Sequence, residues 1–188
     1  MRGVIKGLIV AGVMAVLWAP SQARAEVYVS PFAGIHFGND EIEKKFVWGA
    51  NAGFMGAGII GAEVDFGWAP NAFDEPTDNH IMDVMGNLIV GVPIGGTSGV
   101  GVRPYLTGGL GMIQTKIASD ITGIPDTDNK DFGFNVGGGL MGYFSDHIGL
   151  RGDLRYFRAF SDNNFDSLLN ADLGGFDFWR GSIGLVIR

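Results

Sequence analysis

Alternation of apolar and polar residues over ten or more positions recurs along this chain, and it constrains the fold more than any other feature. Between residues 59 and 69 the even positions are apolar, whereas the odd positions include Gly61, Glu63 and Asp65. Successive side chains of a β-strand point to opposite sides, so the pattern predicts a strand with one apolar face and one polar face.

The same alternation predicts eight strands in total. Besides 59–69, the clearest lie at 132–144, 147–160 and 179–188, and less regular ones lie at 27–37, 46–55, 81–93 and 101–116. The pattern does not decide which side chains of 27–37 share a face. After the amino-terminal segment, no run reaches the roughly 20 apolar residues that a membrane-spanning helix needs.

The connections between these strands alternate in length. Long ones at 38–45, 70–80, 117–131 and 161–175 are separated by short ones at 56–58, 94–100 and 145–146. Bacterial outer-membrane barrels have an even number of antiparallel strands, short periplasmic turns and longer extracellular loops. The sequence therefore predicts an all-β fold, an eight-stranded antiparallel up-and-down transmembrane β-barrel.

The long connections are acidic, so we expect acidic extracellular loops that face a partner. They contain most of the acidic residues of the chain: Asp40, Glu41, Glu43, Asp74, Glu75, Asp78, Asp120, Asp126, Asp128, Asp131, Asp162, Asp166 and Asp172.

The amino-terminal segment has the layout of a secretory signal peptide. Arg2 and Lys6 precede an apolar run from Gly7 to Pro20, and the small-residue pattern Ala23-Arg24-Ala25 follows. Basic, apolar and A-x-A segments in this order predict export and cleavage before Glu26. A transmembrane anchor is the alternative, but the run is shorter than a spanning helix. We predict a signal peptide at 1–25 and a barrel domain at 26–188, in the outer membrane of a Gram-negative-type bacterium.

Charge and cysteine content exclude several classes of protein. The net charge is −7, with 20 acidic and 13 basic residues, and removal of the leader would make it more negative. Nucleic-acid binding requires a basic face and is not expected. The chain has no Cys, which excludes a disulfide framework and cysteine-ligated metals. Its 32 Gly residues suit the bends and close approaches of a narrow barrel.

Charged residues of opposite sign fall on the polar faces of two predicted strands. Glu63 and Asp65 belong to one, and Arg151, Asp153 and Arg155 to the other. The interior of an eight-stranded barrel is only wide enough for side chains, so these five are predicted to form an ion-pair network in the lumen. Either the network simply fills the lumen, or it forms a gated polar path for small solutes.

Aromatic residues gather near the predicted strand ends: Trp48, Trp68, Phe144, Tyr156, Phe160, Phe178 and Trp179. Amphipathic rings favour the level of the lipid headgroups, so these residues predict girdles at both membrane interfaces. Trp48, Trp68, Phe144, Tyr156 and Trp179 are the main candidates. Core aromatics of a soluble secreted ligand barrel are the alternative interpretation.

Several segments resemble the OmpA/OmpX-like outer-membrane β-barrel superfamily: "VYVSPFAGIHFG", "GAEVDFGWAP", "RPYLTGGLGM", "FNVGGGLMGYF" and "IGLRGDLRYF". The resemblance specifies the architecture of the protein and says little about its activity. Because eight strands leave no aqueous channel, our hypothesis is a non-enzymatic protein with a structural or surface-interaction role. Its partners would be outer-membrane lipid, lipopolysaccharide and the barrel-assembly machinery, with an unknown partner for the loops. Family members usually end in an aromatic residue, whereas this chain ends in Ile187-Arg188. A narrow barrel that passes small or hydrophobic solutes is the alternative function.

No pattern indicates a catalytic, cofactor or metal site. Nucleophilic catalysis needs a base within hydrogen-bond reach of a nucleophile, and the surroundings of His36, His80 and His147 do not suggest one. The acidic run 126–131 lacks the central Gly and distal Glu of an EF-hand loop, so it is interpreted as a solvated loop.

Overall fold

The computed structural model describes residues 25–38, 44–70, 79–117, 127–160 and 177–188, which form a closed antiparallel barrel. The strands are β1 (Ala25–Phe37), β2 (Lys45–Gly56), β3 (Ile60–Pro70), β4 (Asn79–Gly91), β5 (Gly101–Ile117), β6 (Thr127–Tyr143), β7 (Ile148–Ala159) and β8 (Asp177–Ile187). Each strand pairs with the next, and β8 pairs with β1. The predicted eight-stranded barrel is confirmed. Within the described ranges, no helix is long and apolar enough to cross a membrane.

The predicted signal peptide and most of the long connections lie outside the described residues. Short connections at 57–59, 92–100 and 144–147 lie at one end of the barrel, which we call the short-turn end. The long connections leave the opposite end, the long-loop end.

Strand β6 begins earlier than the sequence pattern predicts. It starts at Thr127, and its pairing with β5 continues to Ile117 opposite Thr127. Asp128 and Asp131, assigned above to a loop, therefore belong to a strand. The pattern missed this extension because a run of polar residues shows no alternation of apolar and polar side chains. The backbone hydrogen bonds between strands form without such alternation.

The apolar faces of the strands form the outer surface of the barrel. Val64, Leu88 and Leu106 are 56%, 68% and 73% exposed, while Glu63 and Asp65 on the other face are buried. In β1 the even positions, such as Tyr28 and Phe32, point into the lumen. The pattern did not decide this orientation, because large aromatic rings alternate with Ser30 and His36 on the inward face.

Two apolar clusters fill the two ends of the lumen. The first lies towards the long-loop end and consists of Phe32, Val47, Ala69, Ile81, Met85, Ile113, Phe157, Ala159 and Phe178. The second lies towards the short-turn end and consists of Tyr28, Met55, Ile89, Tyr105, Met141, Tyr143 and Val186. The alternation did not single out Ile81, Met85 and Ile89, because on the inward face of β4 they alternate with polar residues such as Asp83 and Asn87. Between the clusters lie most of the inward charges.

The turn between β2 and β3 brings the backbone close to another inward charge, that of Arg103. Ala57 and Gly58 have φ values of 50° and 66°, in the left-handed region. A Cβ at Gly58 would lie 2.8 Å from a guanidinium nitrogen of Arg103. Glycine at this position therefore relieves backbone strain and leaves room for Arg103.

Candidate functional site: the charged lumen

The five charged residues expected in the lumen lie together at its centre. Arg151 Nη1 is 2.5 Å from Glu63 Oε2, and Arg155 Nη2 is 2.8 Å from Glu63 Oε1. Arg155 Nε is also 2.7 Å from Asp153 Oδ1. Arg151, Asp153 and Arg155 share a face of β7 because they are two residues apart. They reach across the barrel to Glu63 on β3.

Two further residues that the sequence reasoning left out of the network extend it towards the long-loop end. Arg180 on β8 lies 2.6 Å from Asp65 Oδ1 through Nη2 and 2.9 Å from Asp83 Oδ2 through Nη1. Arg155 Nη1 lies 3.3 Å from Asp65 Oδ2 and links the two halves. The alternation placed Asp83 and Arg180 on polar faces, and this signal could have identified both. We call the seven charged residues the central network.

Neutral side chains complete the hydrogen bonds of the central network. The Tyr28 hydroxyl donates to Glu63 Oε2 over 2.6 Å, and Asn51 donates to Asp65. Tyr105 donates to Asp153 and accepts a 2.7 Å hydrogen bond from Arg151 Nε.

Glycine makes room for one of these tyrosines. A Cβ at Gly139 would lie 2.5 Å from the Tyr105 hydroxyl oxygen and 2.1 Å from the Gly152 carbonyl oxygen. A larger residue at Gly139 would therefore displace Tyr105 from the network.

A separate charged group, which we call the Glu26 cluster, lies at the short-turn end. Arg103 Nη2 is 2.8 Å from Glu26 Oε2, and the Tyr143 hydroxyl donates to Glu26 Oε1 over 3.1 Å. Arg188 Nη1 is 3.3 Å from the same Oε1, and its guanidinium carbon lies 3.8 Å from the centre of the Tyr143 ring. Arg188 Nε also donates to the Asp146 carbonyl oxygen over 2.6 Å. The cluster therefore ties the two described ends of the chain to a turn.

The three histidines lie in different surroundings. His36 is buried in the lumen against Phe178, with ring centres 4.5 Å apart. His80 stacks on Trp68 at 4.2 Å, and His147 lies in the exposed turn after β6. In the part of the chain that the structure describes, no three His, Asp or Glu residues are grouped as metal ligands.

The candidate girdle residues lie on the outer wall. Trp48, Phe144 and Trp179 are 50%, 63% and 38% exposed, and Trp68 and Tyr156 are half-buried. Of these five, only Phe144 lies at the short-turn end. Phe160 is half-buried beside them. Placing Phe178 in the girdle is wrong, because it points into the lumen and stacks on Phe157, with ring centres 5.0 Å apart.

The fold has counterparts among solved structures. Neisserial surface protein A matches with a TM-score of 0.65 and 18% identity, over 88% of this chain and 99% of that one. The N-terminal β-barrel domain of Pseudomonas aeruginosa OprF matches with a TM-score of 0.57 and 15% identity, over 87% and 98%. Ail of Yersinia pestis, solved with the heparin analogue sucrose octasulfate, matches with a TM-score of 0.52 and 12% identity, over 85% and 96%.

Sequence comparison identifies the family. No curated protein matches the chain significantly. The profile of the outer membrane protein beta-barrel domain, however, matches residues 7–178, which is most of the sequence. With the closed eight-stranded barrel and its outer-membrane counterparts, this match shows that the chain is a member of the outer membrane protein beta-barrel domain family and resides in the outer membrane.

Proposed function

We propose that this protein is a non-enzymatic barrel with a closed lumen, which acts as a structural or surface-interacting component of the outer membrane. The observation that carries the proposal is the central network, held between two apolar clusters. The barrel wall would anchor the molecule in the membrane, and the long connections would bind its partner.

The filling of the lumen argues against a path for solutes. Arg103, Arg155 and Arg180 are among the largest fully buried side chains of the described residues. A permeating ion would have to separate buried ion pairs, and each unpaired charge left behind costs several kcal/mol. An eight-stranded barrel has no spare width through which solutes could bypass them.

The described part of the lumen also offers little support for catalysis. His36 is the histidine nearest the central network, but neither of its ring nitrogens has a hydrogen-bond partner among the described residues. A general base must lie within hydrogen-bond reach of the group it activates. We therefore assign the buried polar residues to the architecture of the barrel.

The loops are the remaining candidates for recognition, and their sequences are acidic. Ail was solved with a sulfated heparin analogue. Acidic loops would repel such a polyanion, so we propose a neutral or basic partner for this chain. Binding to immobilised heparin at physiological salt is expected to be absent.

Conductance of the purified protein in planar lipid bilayers tests the closed lumen. We expect no discrete current steps over a range of voltages, because buried side chains fill the described part of the lumen. An established porin, reconstituted in the same way, is the positive control. Reproducible steps that disappear when the protein is unfolded before reconstitution would overturn the proposal in favour of a solute-passing barrel.

A further inference from the structure

Aromatic residues on the outer wall are concentrated at one end of the barrel. Outward-facing aromatic side chains in the strand halves next to the long loops are Phe37, Phe46, Trp48, Phe66, Trp68, Phe132, Phe134, Tyr156 and Trp179. In the halves next to the short turns, the described strands have only Phe54, and Phe144 follows the end of β6. Since the long loops are extracellular in barrels of this kind, the aromatic half faces the outer leaflet.

Four residues of this set form one continuous array across β6, β7 and β8 together with Phe160, which directly follows β7. Its members are Phe132, Phe134, Tyr156, Phe160 and Trp179. Ring centres are 6.1 Å apart for Phe132 and Phe160, and 5.7 Å for Phe134 and Phe160. They are 6.3 Å apart for Phe134 and Tyr156, and 5.3 Å for Tyr156 and Trp179. The array therefore presents several ring faces and edges at the lipid boundary.

A cationic side chain lies in the middle of this array. Arg158 is directly opposite Phe134 on β6 and Asp177 on β8, and it lies on the same face of β7 as Tyr156 and Phe160. Its side chain is half-buried, and both Arg158 and Asp177 are electrostatic neighbours of the Tyr156 hydroxyl. A charge on the lipid-facing wall is least costly near the headgroups. Arg158 is therefore suited to contact a headgroup.

We propose that Arg158, Asp177 and the surrounding rings bind the phosphorylated sugar headgroup of a glycolipid in the outer leaflet. The Arg158 guanidinium would donate hydrogen bonds to the phosphate, because its planar set of N–H groups matches the spacing of two phosphate oxygens. The Asp177 carboxylate would accept hydrogen bonds from sugar hydroxyls, and the rings would pack against the apolar faces of the sugar and the first methylenes. This site lies on the outer wall and does not depend on the closed lumen or on recognition by the loops.

The test uses the folded protein in detergent micelles and purified lipid A as the probe, titrated while the unfolding temperature is followed on heat-modifiable gels. Lipid A is expected to raise the unfolding temperature of the wild-type protein in a saturable way. Arg158→Gln should weaken the apparent affinity about tenfold, because a charge-assisted contact to phosphate is lost. Dephosphorylated lipid A should bind the wild-type protein and Arg158→Gln equally.

Matched variants separate this site from general anchoring in the interface. Trp179→Leu should weaken lipid A binding, whereas Trp48→Leu, which removes an exposed Trp at the same end but outside the array, should not. Lys44→Gln, an exposed cation between β1 and β2, is the control for charge. The proposal is overturned if phosphatidylglycerol stabilises the protein as well as lipid A does, or if Arg158→Gln binds lipid A like the wild-type protein.

Discussion

The central network and the Glu26 cluster use the same chemistry at different depths. In each, two arginines converge on one glutamate, and a tyrosine hydroxyl donates to the same carboxylate. The Glu63 and Arg155 side chains are fully buried, whereas those of Glu26 and Arg188 remain 11% and 5% exposed at the end of the barrel. Water can replace a lost partner of Glu26 but not one of Glu63. Burial therefore decides how much each interaction contributes to the free energy of unfolding.

The surrounding layers strengthen this difference. Apolar clusters lie on both sides of the central network, whereas the Glu26 cluster has one only on its inner side. The two sites should therefore respond differently to the same kind of substitution. The predictions below test this difference, in order of decreasing effect on the free energy of unfolding.

Arg155→Met should destabilise the barrel most. The change keeps much of the side-chain volume but leaves Glu63, Asp65 and Asp153 short of one cation. We expect a loss of about 3–5 kcal/mol, typical of breaking a buried pair. Urea unfolding in lipid vesicles, followed by tryptophan fluorescence, measures it. A loss below 1 kcal/mol would mean that water reaches the network.

Glu63→Gln should have the next largest effect. The amide keeps the shape of the side chain and a carbonyl acceptor but removes the charge that neutralises Arg151 and Arg155. We expect a loss of about 2–3 kcal/mol, in the upper part of the range for hydrogen bonds to charged groups. Equal stability of Glu63→Gln and Glu26→Gln in the same urea series would contradict the assigned difference in depth.

Tyr105→Phe should cost less, because it changes no charge. It removes the hydroxyl that donates to Asp153 and accepts from Arg151 Nε. A loss of about 1–2 kcal/mol is expected for buried polar groups left without a partner. The same urea measurement applies, and a neutral result would show that Arg151 and Asp153 satisfy each other without it.

Arg188→Met should have the smallest effect. Its ion pair with Glu26 lies at the open end of the barrel, and Arg103 and Tyr143 still contact Glu26 in the variant. We expect a loss of about 1 kcal/mol or less, which falls further as salt is added. A loss as large as that of Arg155→Met would show that exposure does not distinguish the two sites.

The alternation of residues predicted most of the fold, because period two is imposed by the pleat itself. It left the orientation of β1 undecided, because Tyr28 and Phe32 place large rings on the inward face, and it missed the start of β6, where the strand is polar throughout. The pattern also could not show which inward charges meet. That depends on the stagger of the closed barrel, which brings Arg180 against Asp65 and Asp83 and leaves Arg103 with Glu26.

Water accessibility at the centre of the lumen tests the account most directly. The chain has no cysteine, so single cysteines can be labelled without background. Ser30→Cys places a thiol at a fully buried lumen position, and Ser98→Cys places one in an exposed turn. We predict that a small water-soluble thiol reagent modifies Cys at 98 rapidly and Cys at 30 only after unfolding. Comparable rates at both positions in the folded barrel would contradict a dry, closed lumen.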